Sequence, residues 1–407
     1  MDIVQRFLNY TKINTTTNRQ NGADGVMPSN LAELELAKLI KSELENLGIK
    51  NISLNEKSIL IAKIPTNSKK SLPSIAFFAH LDTSAEQSGD TKAKIVSNYQ
   101  GGDIALNDKI SLKVSENAEL KNYIGDDIIT TDGTSLLGAD DKAAIAAIVD
   151  MAEYFCLNQD IEHGEIVICF LPDEEQGLRG AKALDAKDIG ADFGYCLDCC
   201  EIGEFIYENW NAGDCEIEFT GVSAHPMNAK GKLINSLLMA HKFISLLPSG
   251  EAPEYTQNKE GYFWVKGLSG NSAKTILKLD IREFDEAKYY QRMQFLQTMA
   301  DYFNKIYDNR VKITLNDRYK NVFNYLSLDH MAINLPLQAF KNLGISPKIK
   351  PMRGGYDGAV ISQKGIATPN LFTGGHNFHS IYEYLPVNSL KMASEVIKEI
   401  VKLAANG

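Results

Sequence analysis

The sequence predicts an α/β protein whose mostly parallel sheet is covered on both faces, with a second α+β domain inserted into it. Three observations carry that expectation. Continuous apolar runs at residues 75–79, 166–171 and 193–197 read as strands buried on both faces, and helical segments intervene. Between about Asn211 and Arg318 the texture changes to alternation, with Cys215, Ile217 and Phe219 spaced two apart among acidic residues. The chain of 407 residues also exceeds the roughly 250–300 at which a single hydrophobic core stops growing.

The elements follow in order. Leu31, Leu34, Leu39, Ile40, Leu44 and Leu47 have helical spacing and stop at Gly48, a favoured residue just past a helix end. Strands are expected at residues 52–54, 59–64 and 75–79, then an Ala/Ile-rich helix over 142–155 and buried strands over 166–171 and 193–197. Residues 15–25 and 89–102 read as loops. In the inserted part, a helix at 233–247, strands at 262–265 and 275–281, a helix at 287–306 and a strand at 311–315 complete a βαββαβ order, that of a ferredoxin-like sandwich. Helices over 332–343 and 390–404 and a strand over 369–372 return to the first texture. The expected domains are residues 1–209 and 321–407 together, with 210–320 inserted.

Composition narrows the function. A net charge of −10 argues against nucleic acid or an anionic membrane as the main partner. No apolar run nears the roughly 20 residues of a spanning helix. The start, Met1-Asp2-Ile3-Val4-Gln5-Arg6, lacks a basic segment followed by an apolar one, so a cytoplasmic protein is expected. Six cysteines in this length suit reduced core thiols better than a disulfide framework.

The chemistry begins at His80-Leu81-Asp82, directly after the buried run 75–79. Side chains two apart on a strand share a face, so an imidazole and a carboxylate can reach one metal. Gly138-Ala139-Asp140-Asp141-Lys142 precedes a helix, Asp173-Glu174-Glu175 follows the strand at 166–171, Asp198 follows the one at 193–197, and His379 follows the one at 369–372. Singly, these are a helix cap, solvated acids and loop residues. Together they lie where open α/β sheets place ligands, beyond strand ends and at crossovers. Mixed His and carboxylate ligands suit zinc, with manganese or cobalt as substitutes. Two His and three or four carboxylates exceed the needs of one tetrahedral ion, which points to a metal pair bridged by a carboxylate and a water. One acid must then stay off the metals to take a proton, and the Glu174-Glu175 pair offers one of each kind.

These blocks, with His225-Pro226, Ala229-Lys230-Gly231 and Arg353-Gly354-Gly355-Tyr356-Asp357-Gly358, resemble the peptidase T family, the tripeptide aminopeptidases among the co-catalytic di-zinc exopeptidases. The similarity runs from Phe7-Leu8-Asn9-Tyr10 to the last helix. The resemblance implies two zinc ions per chain, His80 and Asp198 on one, Glu175 and His379 on the other, and Asp140 bridging. It implies that Asp82 orients His80, Glu174 is the general base, His225 helps stabilise an oxyanion, and Arg282 and Arg353 meet a peptide carboxylate. It further implies a zinc-exopeptidase-like catalytic domain whose insert is a lid that also forms a homodimer, acting on short peptides. The alternative activity is that of a dipeptidase or N-acyl amino acid deacylase with the same two-metal site. Two departures stand out: Cys199-Cys200 follow Asp198 where the family usually has glycines, and His376 stands where an aromatic is common. A thiolate at Cys196, Cys199 or Cys200 would compete for metal; small-residue filling is the expected reading.

Overall fold

The computed structural model describes residues 1–406. The chain forms two compact units, Met1–Tyr207 with Tyr325–Lys350 and Tyr356–Gly407, and Glu208–Asn324 with Pro351–Gly355. The short segment Pro351–Gly355, which carries Arg353, groups with the second unit, outside the bounds 210–320 expected from the sequence.

The first unit is built on an eight-stranded sheet. At its centre Ile75–His80 lies parallel to Ile166–Leu171 on one side and Phe193–Cys199 on the other, and Asn370–Phe372 runs parallel beyond. Every residue of the first two strands is buried, which requires their unbroken apolar runs. Each fully buried Phe or Ile contributes about 1.5–3 kcal/mol relative to exposure. Outside this parallel centre the sheet turns antiparallel: Asn51–Leu54 and Leu60–Ile64 form a hairpin, and Glu204–Ile206 pairs against Asn370–Phe372. A five-residue link can join only antiparallel neighbours, whereas parallel strands need a crossover. Helices Ala139–Leu157, Val387–Ala405 and Ile3–Thr11 pack together, the first also against the central strand. The four parallel strands thus end on one edge of the sheet, at His80, Leu171, Cys199 and Phe372.

Several elements differ from the sequence reading. Ile3–Thr11 is a helix, capped by Asp2, whose carboxylate accepts from the Val4 and Gln5 amides, and it buries Phe7 and Tyr10. Within the expected loops lie a short helix, Arg19–Ala23, and a strand, Lys94–Val96. That strand joins Ile128–Thr130 and Tyr384–Pro386 in a small antiparallel sheet. Beside it is a satellite core of Tyr99, Ile104, Leu106, Leu112, Leu120, Tyr123 and Tyr384. Strands of three residues are too short to show a period.

In the second unit an antiparallel sheet has the order Tyr262–Gly270, Lys274–Glu283, Asn211–Thr220, Val311–Tyr319. With helices Ser236–Ser245 and Glu286–Tyr307 this is the ferredoxin-like βαββαβ arrangement. Cys215, Ile217 and Phe219 face its core with Met239, Phe243, Leu296 and Phe303. Glu216 and Glu218 point away from it and pair with Lys278 and Lys274.

Candidate metal centre

His80 ends the central strand. Its backbone amide donates to Asp141 (3.1 Å), and its ring Nδ1 lies 2.9 Å from the Asp82 carbonyl oxygen. A ring nitrogen facing a carbonyl must carry the proton, which turns Nε2 toward Asp140 Oδ1, 2.8 Å away. Burial opposes charge on His80, but the hydrogen bonds to Asp140 and Asp82 raise its pKa well above the ordinary imidazole value.

Asp140 sits where the chain enters helix Ala139–Leu157, before helical geometry is established. Gly138 leads into it at φ 78°, a left-handed conformation that glycine adopts without strain. The two Asp140 oxygens diverge, Oδ1 to His80 and Oδ2 to His379 Nε2 at 3.0 Å. Burial works against the ionised form of Asp140, yet the two imidazoles bring its pKa below the carboxylate range. His379 Nε2 also lies 2.7 Å from Glu175 Oε1. Those hydrogen bonds to Asp140 and Glu175 raise the His379 pKa to about 11.

The turn carrying Glu174 and Glu175 is pinned through its backbone. Successive amides of Asp173, Glu174 and Glu175 donate to Glu33 Oε2 (3.0 Å), Asp82 Oδ1 (2.9 Å) and Asp82 Oδ2 (3.1 Å). Asp173 itself, at φ 54°, accepts from the Ser29 amide and from Arg179. Asp198 is held by its amide, which donates to Asn370 Oδ1 (2.7 Å). Its carboxyl pKa is driven well up by burial and by the neighbouring Asp140, and that of Glu174 by burial and by Asp198 and Asp357.

Three groups bring potential ligand atoms within 4.8 Å of one another: His80, Asp140 and Asp198; Asp140, Glu175 and His379; and His80, Glu174 and Glu175. The first two share Asp140. Two ligands on one tetrahedral zinc, each at roughly 2.0–2.2 Å, lie about 3.4 Å apart, so these side chains need only small shifts to accept ions. The donor set also fits electrostatically. Crowded carboxyls that burial and mutual repulsion drive toward neutrality require positive charge, and both imidazoles aim nitrogens at carboxylate oxygens where a cation would lie.

The other expected site residues lie in the second unit. Exposed His225 accepts from the Met227 amide (3.2 Å) and caps a short turn. Arg353 lies over the rings of Trp210 (4.7 Å) and Tyr262 (5.7 Å) and donates to Asn258 O and Thr256 Oγ1. Arg282 is held within its own sheet: its guanidinium donates to the carbonyls of Gly213 and Ile281 and pairs with Asp280 at 3.0 Å.

The thiols are fillers in this geometry. No metal-competent group among the described residues includes a cysteine, and burial raises the pKa values of Cys196, Cys199 and Cys200. His376 stacks on Tyr384 and places Nε2 2.7 Å from the Tyr123 hydroxyl, away from these groups. Four buried acids around the site had no expected role: Glu33, Asp141, Asp357 and Glu383, of which Asp141 and Asp357 stand inside the blocks that carry the resemblance. Glu33 left a different signal, the spacing Asn30-x-x-Glu33 of a capping box, and its carboxylate accepts the Asn30 amide.

The family model for peptidase family M20/M25/M40 matches residues 136–403. A peptidase T of Clostridium perfringens strain SM101 is 42% identical over 403 residues, covering 98% of each chain. The aminopeptidase PepT of Bacillus cereus superposes with a TM-score of 0.79 at 22% identity, over 99% of this chain and 98% of that one. A dinuclear metal binding peptidase of Bacillus subtilis gives 0.68 at 15% identity, over 99% of both chains. The chain belongs to peptidase family M20/M25/M40, and its full-length similarity within that family is to peptidase T.

Proposed function

We propose that the chain is a metal-dependent aminopeptidase that releases the N-terminal residue of tripeptides. The observation that carries the reading is Asp140, whose two oxygens reach His80 on one side and His379 on the other, as a carboxylate bridging two ions must. On this reading His80 and Asp198 hold one metal, Glu175 and His379 the other; zinc fits the donor set, with manganese or cobalt as substitutes. Two such ions would polarise the scissile carbonyl and make a bound water acidic.

The protein's own groups supply the rest. Glu174 is the general base. Its backbone is fixed by Asp82, and its raised pKa lets it hold a water proton and pass it to the leaving amine. Asp82 orients His80 through its carbonyl oxygen, with its carboxylate 3.4 Å from the same ring nitrogen. Arg353 takes the peptide carboxylate, and His225 assists the oxyanion. Short peptides are the substrates.

The finer expectations rest on composition and surface. Six free cysteines suit the reducing cytoplasm. Leu237 and Leu238 on one helix of the second unit, and Trp264, Val265 and Leu268 on its edge strand, are exposed apolar side chains that support a homodimer through this unit.

The test is a panel of di-, tri- and tetrapeptides, free and N-acetylated, with and without chelator. Free tripeptides are expected to lose their first residue, and chelator to stop the reaction. Equal cleavage of N-acetylated substrates would replace this reading with a deacylase.

A further inference from the structure

We propose that Glu383 is the positioning residue that locks Asp140 against His379, and so sets the affinity of the Asp140–Glu175–His379 group for its ion. The inference rests on the two-metal reading above.

Glu383 is 1% exposed, and its carboxylate accepts three backbone amides: Leu137 (2.7 Å) and Gly138 (2.8 Å) on Oε2, and Asp140 (3.1 Å) on Oε1. A buried carboxylate among so many other acids is costly unless its oxygens are well supplied with donors. These three amides are that supply, and they belong to the segment that delivers the bridging acid. The acceptor arrives from elsewhere in the chain. Glu383 is four residues past His379, in a loop closed at its base by paired backbone hydrogen bonds between His376 and Tyr384. That base continues into Tyr384–Pro386, which pairs with Ile128–Thr130. One carboxylate therefore ties the loop bearing His379 to the turn bearing Asp140, whose side chains meet at 3.0 Å.

His80 is fixed by other means, through Asp141 and the Asp82 carbonyl. Loss of Glu383 should consequently weaken the His379 side more than the His80 side. Glu383→Gln is the discriminating variant. It keeps the shape but turns an NH2 toward one backbone N–H, which leaves that donor without an acceptor.

Three readouts test this. In metal-free protein, amide exchange at residues 137–140 is expected to quicken at least about tenfold in Glu383→Gln. In chelator competition, one metal equivalent is expected to bind about 10–100-fold more weakly, while the other stays near wild type. Excess metal is expected to restore kcat, which it would not do for a merely structural lesion. Glu383→Asp, whose oxygens retract by a methylene, should act in the same direction. Unchanged exchange, two equivalents of wild-type affinity in Glu383→Gln, or equal weakening of both equivalents would each overturn the proposal. If wild-type protein binds no metal, the two-metal reading fails, and the inference resting on it falls with it; wild-type metal binding with an unchanged variant sinks the inference alone.

Discussion

Asp82 divides its carboxylate between two neighbours: Oδ1 accepts the Glu174 amide at 2.9 Å and Oδ2 the Glu175 amide at 3.1 Å. Its carbonyl meanwhile meets His80 Nδ1. One residue thus sets the ring orientation of one proposed metal ligand and the placement of the proposed base and second ligand beside it. Asp82→Asn keeps the carbonyl contact but turns an NH2 toward one of those amides. An unpaired buried donor costs about 1–3 kcal/mol, and loss of an orienting partner lowers metal affinity or activity about 10–100-fold. Thermal denaturation and metal titration of the variant check both figures; wild-type values in each would remove Asp82 from this role.

Arg353 is already oriented, with its guanidinium on the Trp210 and Tyr262 rings and two of its nitrogens on Asn258 and Thr256. If it recognises the substrate carboxylate, amidating a tripeptide's C-terminus should lower kcat/KM by about 2–4 kcal/mol. Arg353→Ala should erase most of that difference between acid and amide. Equal cleavage of both by wild-type protein would exclude a carboxylate clamp.

Metal dependence should show in stability against pH. Burial raises Glu383 and Asp357 to about 7, from unfolded values of about 4. A carboxyl raised on folding contributes stability that is complete below its unfolded pKa and is lost as pH rises through the folded one. His379, raised to about 11 from the ordinary 6.5, starts to lose its contribution above about pH 6.5 and so acts in the same direction. Lys142, lowered to about 8 by burial, changes only above that pH. From pH 5 to 7.5 chelated protein should therefore lose Tm, while metal-loaded protein, in which cations would offset part of the negative charge buried around these acids, should hold more of it. A chelated form that gains Tm over this range would contradict the electrostatic account.

Cys199 is buried next to Asp198, and its thiol is held protonated by burial. Cys199→Gly should keep full metal content and activity near wild type, at a stability cost of about 1 kcal/mol for lost burial. Loss of a metal equivalent in that variant, by elemental analysis, would make the thiolate a ligand.

Much of the molecule was legible in the sequence because it is written contiguously. The runs at 75–79 and 166–171 are apolar throughout since both faces of those strands are covered, and the acids and His379 stand just past strand ends. The alternation of Cys215, Ile217 and Phe219 marked the second sheet for the same local reason. What escaped notice depends on distant partners. Glu383 reaches the Gly138 amide across 245 residues and Glu33 reaches Asp173 across 140; a side chain that accepts a backbone amide leaves no pairing pattern in residue types. The carbonyls that Arg282 binds, on Gly213 and Ile281, are likewise invisible in side-chain chemistry.

The central claim is that the adjacent acids Glu174 and Glu175 do different work, one moving protons and the other holding metal. Metal stoichiometry and kcat of Glu174→Gln and Glu175→Ala, measured side by side, test it most directly. Glu174→Gln should keep two metal equivalents while kcat falls by roughly 10²–10⁴-fold or more, the contribution of a general base. Glu175→Ala should lose one equivalent. Equal loss of metal in both variants would contradict the assignment and place Glu174 among the ligands.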